Sequence, residues 1–165
     1  MTHPVYNILF VCTGNSVRSV MAECLMNHLG AGRFQAFSAG SMPNGTVNPQ
    51  ALATLASLDV PAQGVHSKSW AEFSQAGAPV LDFIFTVCDQ AAGEVCPVWP
   101  GQPVSAHWGV ADPSHMPAQT AAEVEKNFRD TAYVLKRRIE LFMALPFDSL
   151  DRLSLHAHTQ RIGQE

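Results

Sequence analysis

A cysteine and an arginine with five residues between them, Cys12-Thr-Gly-Asn-Ser-Val-Arg18, stand where two different patterns of this chain meet. Before them runs an apolar, strand-like segment, Tyr6-Asn-Ile-Leu-Phe-Val11, and after them a helical one, Ser19-Val-Met-Ala-Glu-Cys-Leu-Met-Asn-His28. A strand that turns into a helix through Gly14-Asn15 leaves its loop amides, from Thr13 to Arg18, facing inward. Such a loop cradles a tetrahedral oxyanion, because unpaired N–H groups and the positive end of a helix both favour negative charge. Thr13, Gly14, Asn15, Ser16 and Val17 supply that cradle, and Arg18 grips two oxygens with its planar fork. Cys12 then lies beneath the central atom, where positive surroundings favour thiolate over thiol and make it a nucleophile. The target is phosphate or an anion of that shape.

The strand–helix alternation continues along the chain. Phe34–Ser38, Leu81–Val87 and Val104–Trp108 are further strand candidates, short, apolar and bounded by Gly, Pro or Ser. Between them, Ser19–Leu29 stops at Gly30, and Pro49–Leu58 starts after Asn48 as N-cap with Pro at the first helical position. From Ala121 to Leu145, Val124, Phe128, Ala132, Leu135, Ile139, Phe142 and Met143 recur every three or four residues, an apolar stripe for one long helix. Leu150, Leu153 and His156 suggest a short last helix before a frayed, polar tail. This order predicts an α/β fold, a parallel sheet flanked by helices on both faces, in a single domain spanning 1–165. Its core covers about 5–145, with a C-terminal helix and tail over 147–165. Ligands of such sheets bind at the carboxyl ends of the strands, which is where Cys12 and Cys88 fall and where Asp112 follows.

Composition narrows the partners. A net charge of −4 leaves no basic surface for nucleic acid, and the one basic cluster, Lys136-Arg-Arg138, reads as the solvated face of the long helix. No run approaches the ~18 apolar residues of a membrane span. The first residues, Met1-Thr-His-Pro4, lack a signal core, so a cytoplasmic protein is expected. In that compartment four cysteines point to chemistry or core filling and not to a disulfide framework. The chain is expected to be a monomer.

The other reactive residues fall into two groups. Asp112-Pro113 lies in a loop, and a carboxyl opposite the thiolate suits the protonation of a leaving oxygen. Pro113 restricts how Asp112 is presented. His107 and His115 bracket that loop in surface or hydrogen-bonded roles. Cys88 and Cys96 have seven residues between them, too far for a zinc pair, and no second close pair exists, so no metal is expected. They are either two cysteines packed as small hydrophobes or a resolving pair that carries oxidation away from Cys12. The second alternative requires Cys88 to approach Cys12 and later Cys96, each within ~7 Å between Cα atoms. The 88–103 segment would then have to move, which its Ala-Ala-Gly and Pro/Gly content suits. Cys24, within the first helix, reads as core.

Val11-Cys-Thr-Gly-Asn-Ser-Val-Arg-Ser-Val-Met-Ala-Glu23, Phe37-Ser-Ala-Gly40, Asn48-Pro49, Thr86-Val-Cys88 and Asp112-Pro113 together resemble the arsenate reductases built on the low-molecular-weight protein tyrosine phosphatase fold. The resemblance runs from about residue 5 to 145. It implies a four-stranded parallel sheet flanked by helices, Cys12 as nucleophile, Arg18 and the loop amides as oxyanion ligands, Ser19 as support for the thiolate and Asp112 as general acid. It further implies a relay in which Cys88 attacks the Cys12 sulfur, arsenite departs, and Cys96 then frees Cys12 to leave a Cys88–Cys96 disulfide. Thioredoxin is the implied reductant, with glutaredoxin and glutathione as the alternative. Phosphatases of this fold carry two tyrosines after the Asp-Pro pair, but here Ser114 and His115 stand there. Phosphoester hydrolysis through a Cys12 phosphoenzyme is the rival activity. Some relatives hold potassium beside the phosphate loop. Asn15, Glu23 and Ser38 match part of that pattern, yet no acid stands near His66 to complete it. Potassium is therefore not expected, and Asn15 and Ser38 are expected to brace the loop by hydrogen bonds.

Overall fold

A computed structural model describes residues 4–88 and 102–165. Four strands, β1 (Tyr6–Cys12), β2 (Phe34–Gly40), β3 (Phe83–Thr86) and β4 (Val104–His107), form one sheet in the order β2-β1-β3-β4. Every pairing is parallel, with Ile8 opposite Ala36 on one side of β1 and Phe83 on the other. The helices are α1 (Arg18–Leu29), α2 (Pro49–Ser57), α3 (Ala121–Met143) and α4 (Arg152–Ile162). The expected four-stranded parallel sheet flanked by helices is what the chain forms.

Period-two alternation explains how both faces of the sheet are covered. Phe34 and Phe37 stand three residues apart on β2 and so face opposite ways. Phe34 packs on Phe142 of α3 at 5.4 Å between ring centroids, and Phe83 joins it at 4.9 Å. Phe37 meets Phe73 of a single 3-10 turn at 5.4 Å on the other face. The α3 stripe is buried as its spacing predicts, through Phe128, Ala132, Leu135, Ile139 and Phe142. Asn48 caps α2 by accepting from the Gln50 amide at 2.8 Å, with Pro49 in the first turn as read from the sequence.

Two expectations fail. Arg138 does not belong to a solvated basic face. It is buried, and its guanidinium donates to the carbonyls of Trp108 at 2.8 Å and Gly109 at 3.1 Å. A long stem lets an arginine on the inner face of α3 reach main-chain acceptors where the chain leaves β4. The end of the chain is also no frayed tail. The helix runs on to Ile162 and packs against β4, where Gln160 Oε1 accepts from the His107 amide at 2.9 Å. Thr159 O accepts from the buried Trp108 indole at 2.9 Å. Gly163 lies so close to the His107 carbonyl that any side chain would collide with it. Polar composition concealed this docking, because its contacts are mostly hydrogen bonds to an edge strand.

The ladder continues past the strand ends and sets the rim of the site. Val87 donates to the Val11 carbonyl at 2.9 Å, Trp108 to Thr86 at 2.7 Å and Val110 to Val87 at 3.1 Å. Cys12, Cys88 and the loop leading to Asp112 therefore emerge side by side from three neighbouring strands.

Candidate active site

Cys12 ends β1 and is 3% exposed, and the chain from it to Arg18 curls into a loop before α1. Asn15 holds that curl with φ of +47°, a left-handed conformation that asparagine tolerates better than most residues. Gly40 is required beside it, since a Cβ there would strike the Thr13 carbonyl. No side chain caps the N-terminus of α1. A twelve-residue helix thus opens without a side-chain cap at the very loop that carries the cysteine, which is the arrangement of an anion site.

The loop is braced from below. Ser19 Oγ lies 2.8 Å from Cys12 Sγ, and Asn15 Nδ2 donates to Ser19 Oγ at 2.8 Å. Asn15 Oδ1 in turn accepts the Lys68 amide at 2.8 Å. The bracing expected of Asn15 is present. Ser38 acts one step away, donating to Glu23 Oε1 at 2.6 Å. Thr13 and Gly14 carbonyls accept the amides of Met42 and Asn44 at 3.0 and 2.9 Å, which fixes the outer turn of the loop.

Above the loop, Arg18 reaches across to the acid loop. Its guanidinium donates to the Val110 carbonyl at 3.1 Å and stands 3.6 Å from Asp112 Oδ2. Asp112 Oδ1 is occupied, because it accepts both the amide and the hydroxyl of Ser114 at 2.9 and 2.7 Å. Only Oδ2 faces Arg18 and His115, whose Nε2 is 3.7 Å away. Cys12, Arg18, Asn48, Asp112, Ser114 and His115 line one cavity of about 120 Å³. Its rim is polar, and the aromatic wall is absent from the described residues around it, as Ser114 and His115 foretold.

Cys88 is buried just beyond β3, and its sulfur is 3.5 Å from Thr13 Oγ1, the residue next to Cys12. Val11 pairs with Thr86, so Cys12 and Cys88 leave the neighbouring strands β1 and β3 one residue out of register. Cys96 lies outside the described residues, as does most of the 88–103 segment. His107 turns to Thr86, its Nδ1 2.8 Å from Oγ1. Cys24 is core as expected, and burial pushes its thiol up to about 12 with help from the adjacent Glu23 carboxylate.

Two contributors escaped the sequence reading. Ser114 was seen only as a missing tyrosine, yet it orients Asp112. Lys68 was not singled out, since an isolated lysine between two serines looks like any solvated one. Its ammonium donates to the carbonyls of Ser38 at 2.8 Å and His66 at 2.9 Å and stands 3.8 Å from Glu23 Oε1. These oxygens are the ones a potassium ion beside the loop would need, so the residues present do not fit such an ion. Among the described residues, no helix is long and apolar enough to cross a membrane.

Comparison with known proteins agrees with this geometry. The family of low molecular weight phosphotyrosine protein phosphatases matches residues 7–153. An arsenate reductase of Halalkalibacterium halodurans is 31% identical over 135 residues, covering 82% of this chain and 93% of that one. Another, from Shouchella clausii, is 34% identical over 109 residues, 65% of this chain and 73% of that one. Among solved structures, an arsenate reductase in the phosphate binding state superposes with a TM-score of 0.69 at 27% identity, over 84% of this chain and 97% of the other. A thioredoxin-dependent arsenate reductase of Corynebacterium glutamicum, at 24% identity and a TM-score of 0.57, shares the fold over 86% of this chain and 65% of its own. With its loop, its sheet and these relatives in agreement, the chain belongs to the low molecular weight phosphotyrosine protein phosphatase family, among its arsenate reductases.

Proposed function

We propose that this chain reduces arsenate to arsenite by thiolate attack from Cys12. The observation that carries the reading is the second buried thiol, Cys88, against the residue that follows Cys12. A phosphatase releases its phosphoenzyme with water and has no use for that thiol, whereas a reductase needs it. The small polar cavity, with Ser114 and His115 beside Asp112 and no wall for a phenol ring among the described residues, supports the same choice.

Arsenate enters the cradle of Thr13–Arg18 amides, and the Arg18 guanidinium turns from Asp112 to the oxyanion. Cys12 attacks arsenic while Asp112 Oδ2 gives a proton to the departing oxygen, which leaves as water. Cys88 thiolate then attacks Cys12 Sγ. The sulfur–arsenic bond breaks with its electron pair staying on arsenic, which falls from the +5 to the +3 state and departs as arsenite. Two thiolates have become the Cys12–Cys88 disulfide, so the two electrons balance. Cys96 attacks Cys88, Cys12 leaves as thiolate, and a dithiol reductant of the thioredoxin kind reduces the Cys88–Cys96 disulfide. A reducing cytoplasm supplies that partner.

The test is arsenate-dependent NADPH oxidation with thioredoxin and thioredoxin reductase. Sustained NADPH oxidation is expected in the parent and none in Cys96→Ser, which releases about one arsenite per chain from its own thiols and stops, since thioredoxin then meets no terminal disulfide. Sustained turnover in both would remove Cys96 from the relay. No turnover in either would remove thioredoxin as the donor.

A further inference from the structure

We propose that Lys68 is a positioning residue for Cys12, an ammonium built into the chain where an alkali-metal ion would otherwise be needed. The inference rests on Cys12 as the nucleophile. An ammonium has three hydrogens to place. Two go to the Ser38 and His66 carbonyls, and the third faces Glu23, which Ser38 Oγ holds from its other side. Lys68 and Glu23 side chains are only 10% and 15% exposed. Three elements, α1 through Glu23, β2 through Ser38 and the segment before the 3-10 turn, are thus fastened to one charge.

The same residue reaches the nucleophile through its main chain. Its carbonyl accepts from Gly40 at 2.9 Å, and its amide donates to Asn15 Oδ1 at 2.8 Å. An amide N–H can only donate, so the oxygen of Asn15 must face Lys68 and the nitrogen must face Ser19. Ser19 Oγ therefore accepts from Asn15, and its own hydrogen is left for Cys12 Sγ at 2.8 Å. A hydrogen bond given to sulfur favours the thiolate. The direction of the whole relay is set at Lys68. Without the ammonium, the Glu23 carboxylate keeps Ser38 but loses its cation, and the segment that orients Asn15 loses its anchor. What remains is a pocket of two carbonyls and a carboxylate, hard oxygen donors suited to a monovalent cation.

The readout is the pH dependence of iodoacetamide alkylation that inorganic phosphate protects against, which reports Cys12 in the full chain. Lys68→Met should slow this alkylation about tenfold at neutral pH, the loss of one charge-assisted hydrogen bond. Lys68→Ala should show the same loss, restored by potassium chloride but not by tetramethylammonium chloride at equal ionic strength. The parent should respond to neither salt. Because Lys68→Met leaves a buried carboxylate, the Lys68→Met, Glu23→Gln pair keeps the test open in a chain with no uncompensated charge, and the same slowing is expected. Variants that titrate like the parent, or a parent that potassium stimulates, would overturn the role of Lys68 alone. A parent with no phosphate-protected alkylation would overturn the reading of Cys12 and this inference with it.

Discussion

Ser19 Oγ lies 2.8 Å from Cys12 Sγ at the first turn of α1, and Ser19 is wholly shut off from solvent. Water cannot replace this contact, so its removal falls directly on the thiolate. Ser19→Ala is expected to slow iodoacetamide alkylation of Cys12 at neutral pH roughly tenfold to a hundredfold, the worth of a buried hydrogen bond to a charged group. The alkylation rate that inorganic phosphate protects against, measured at one neutral pH, checks this. Phosphate affinity should change little, because the loop amides and Arg18 remain.

Asp112 turns one carboxylate oxygen to Arg18 and His115, the other being held by Ser114. Asp112→Asn should slow formation of the Cys12–arsenic bond by about a hundredfold or more, the usual contribution of a general acid. Reduction of the Cys88–Cys96 disulfide by thioredoxin involves neither Asp112 nor Arg18 and should keep its rate. Rapid-quench measurement of the first turnover beside disulfide reduction separates the two steps.

Sequence alone made the loop legible because its chemistry is local. Strand, glycine turn, arginine and helix fall within Tyr6–Leu29, and the anion site follows from that order. The sheet was legible for the same reason, with strand ends misjudged by one or two residues. Leu81–Val87 shortened to Phe83–Thr86, for example, although Val87 still adds one bond to the Val11 carbonyl. What stayed hidden depends on distant partners. Arg138, Lys68 and Gln160 act through carbonyls or amides 29 to 53 positions away, and no side-chain pattern advertises a main-chain acceptor. Ser114 is local to Asp112, but two hydrogen bonds to one oxygen are a matter of turn geometry and not of residue type.

Cys24 should be silent in the native state. Its raised value, about 12 against an ordinary 9.0, means that the folded chain resists losing the proton that the unfolded chain gives up. The stability this represents is present below pH 9 and is lost as pH rises from there towards 12. Thermal unfolding should therefore show a downward slope of Tm above pH 9 that is shallower in Cys24→Val than in the parent. An unchanged slope would place the titration elsewhere.

The last helix holds β4 through contacts that tolerate no extra atom. Gly163→Ala pushes a methyl group into the His107 carbonyl, so α4 must shift and lose part of its hold on Trp108. A destabilisation of about 1–3 kcal/mol is expected, the range of overpacking. Gln160→Ala should cost about 1 kcal/mol by orphaning the His107 amide. Urea unfolding at neutral pH measures both.

A single turnover without reductant tests the central claim most directly. The fully reduced chain is mixed with excess arsenate, arsenite is counted per chain, and disulfides are mapped by peptide analysis. The account predicts about one arsenite per chain with a Cys88–Cys96 disulfide in the parent. In Cys96→Ser it predicts the same yield with a Cys12–Cys88 disulfide, and in Cys12→Ser or Cys88→Ser no arsenite. Arsenite formed in full yield by Cys88→Ser would contradict the account, because the electrons would then have come from some other group than the thiol beside the loop.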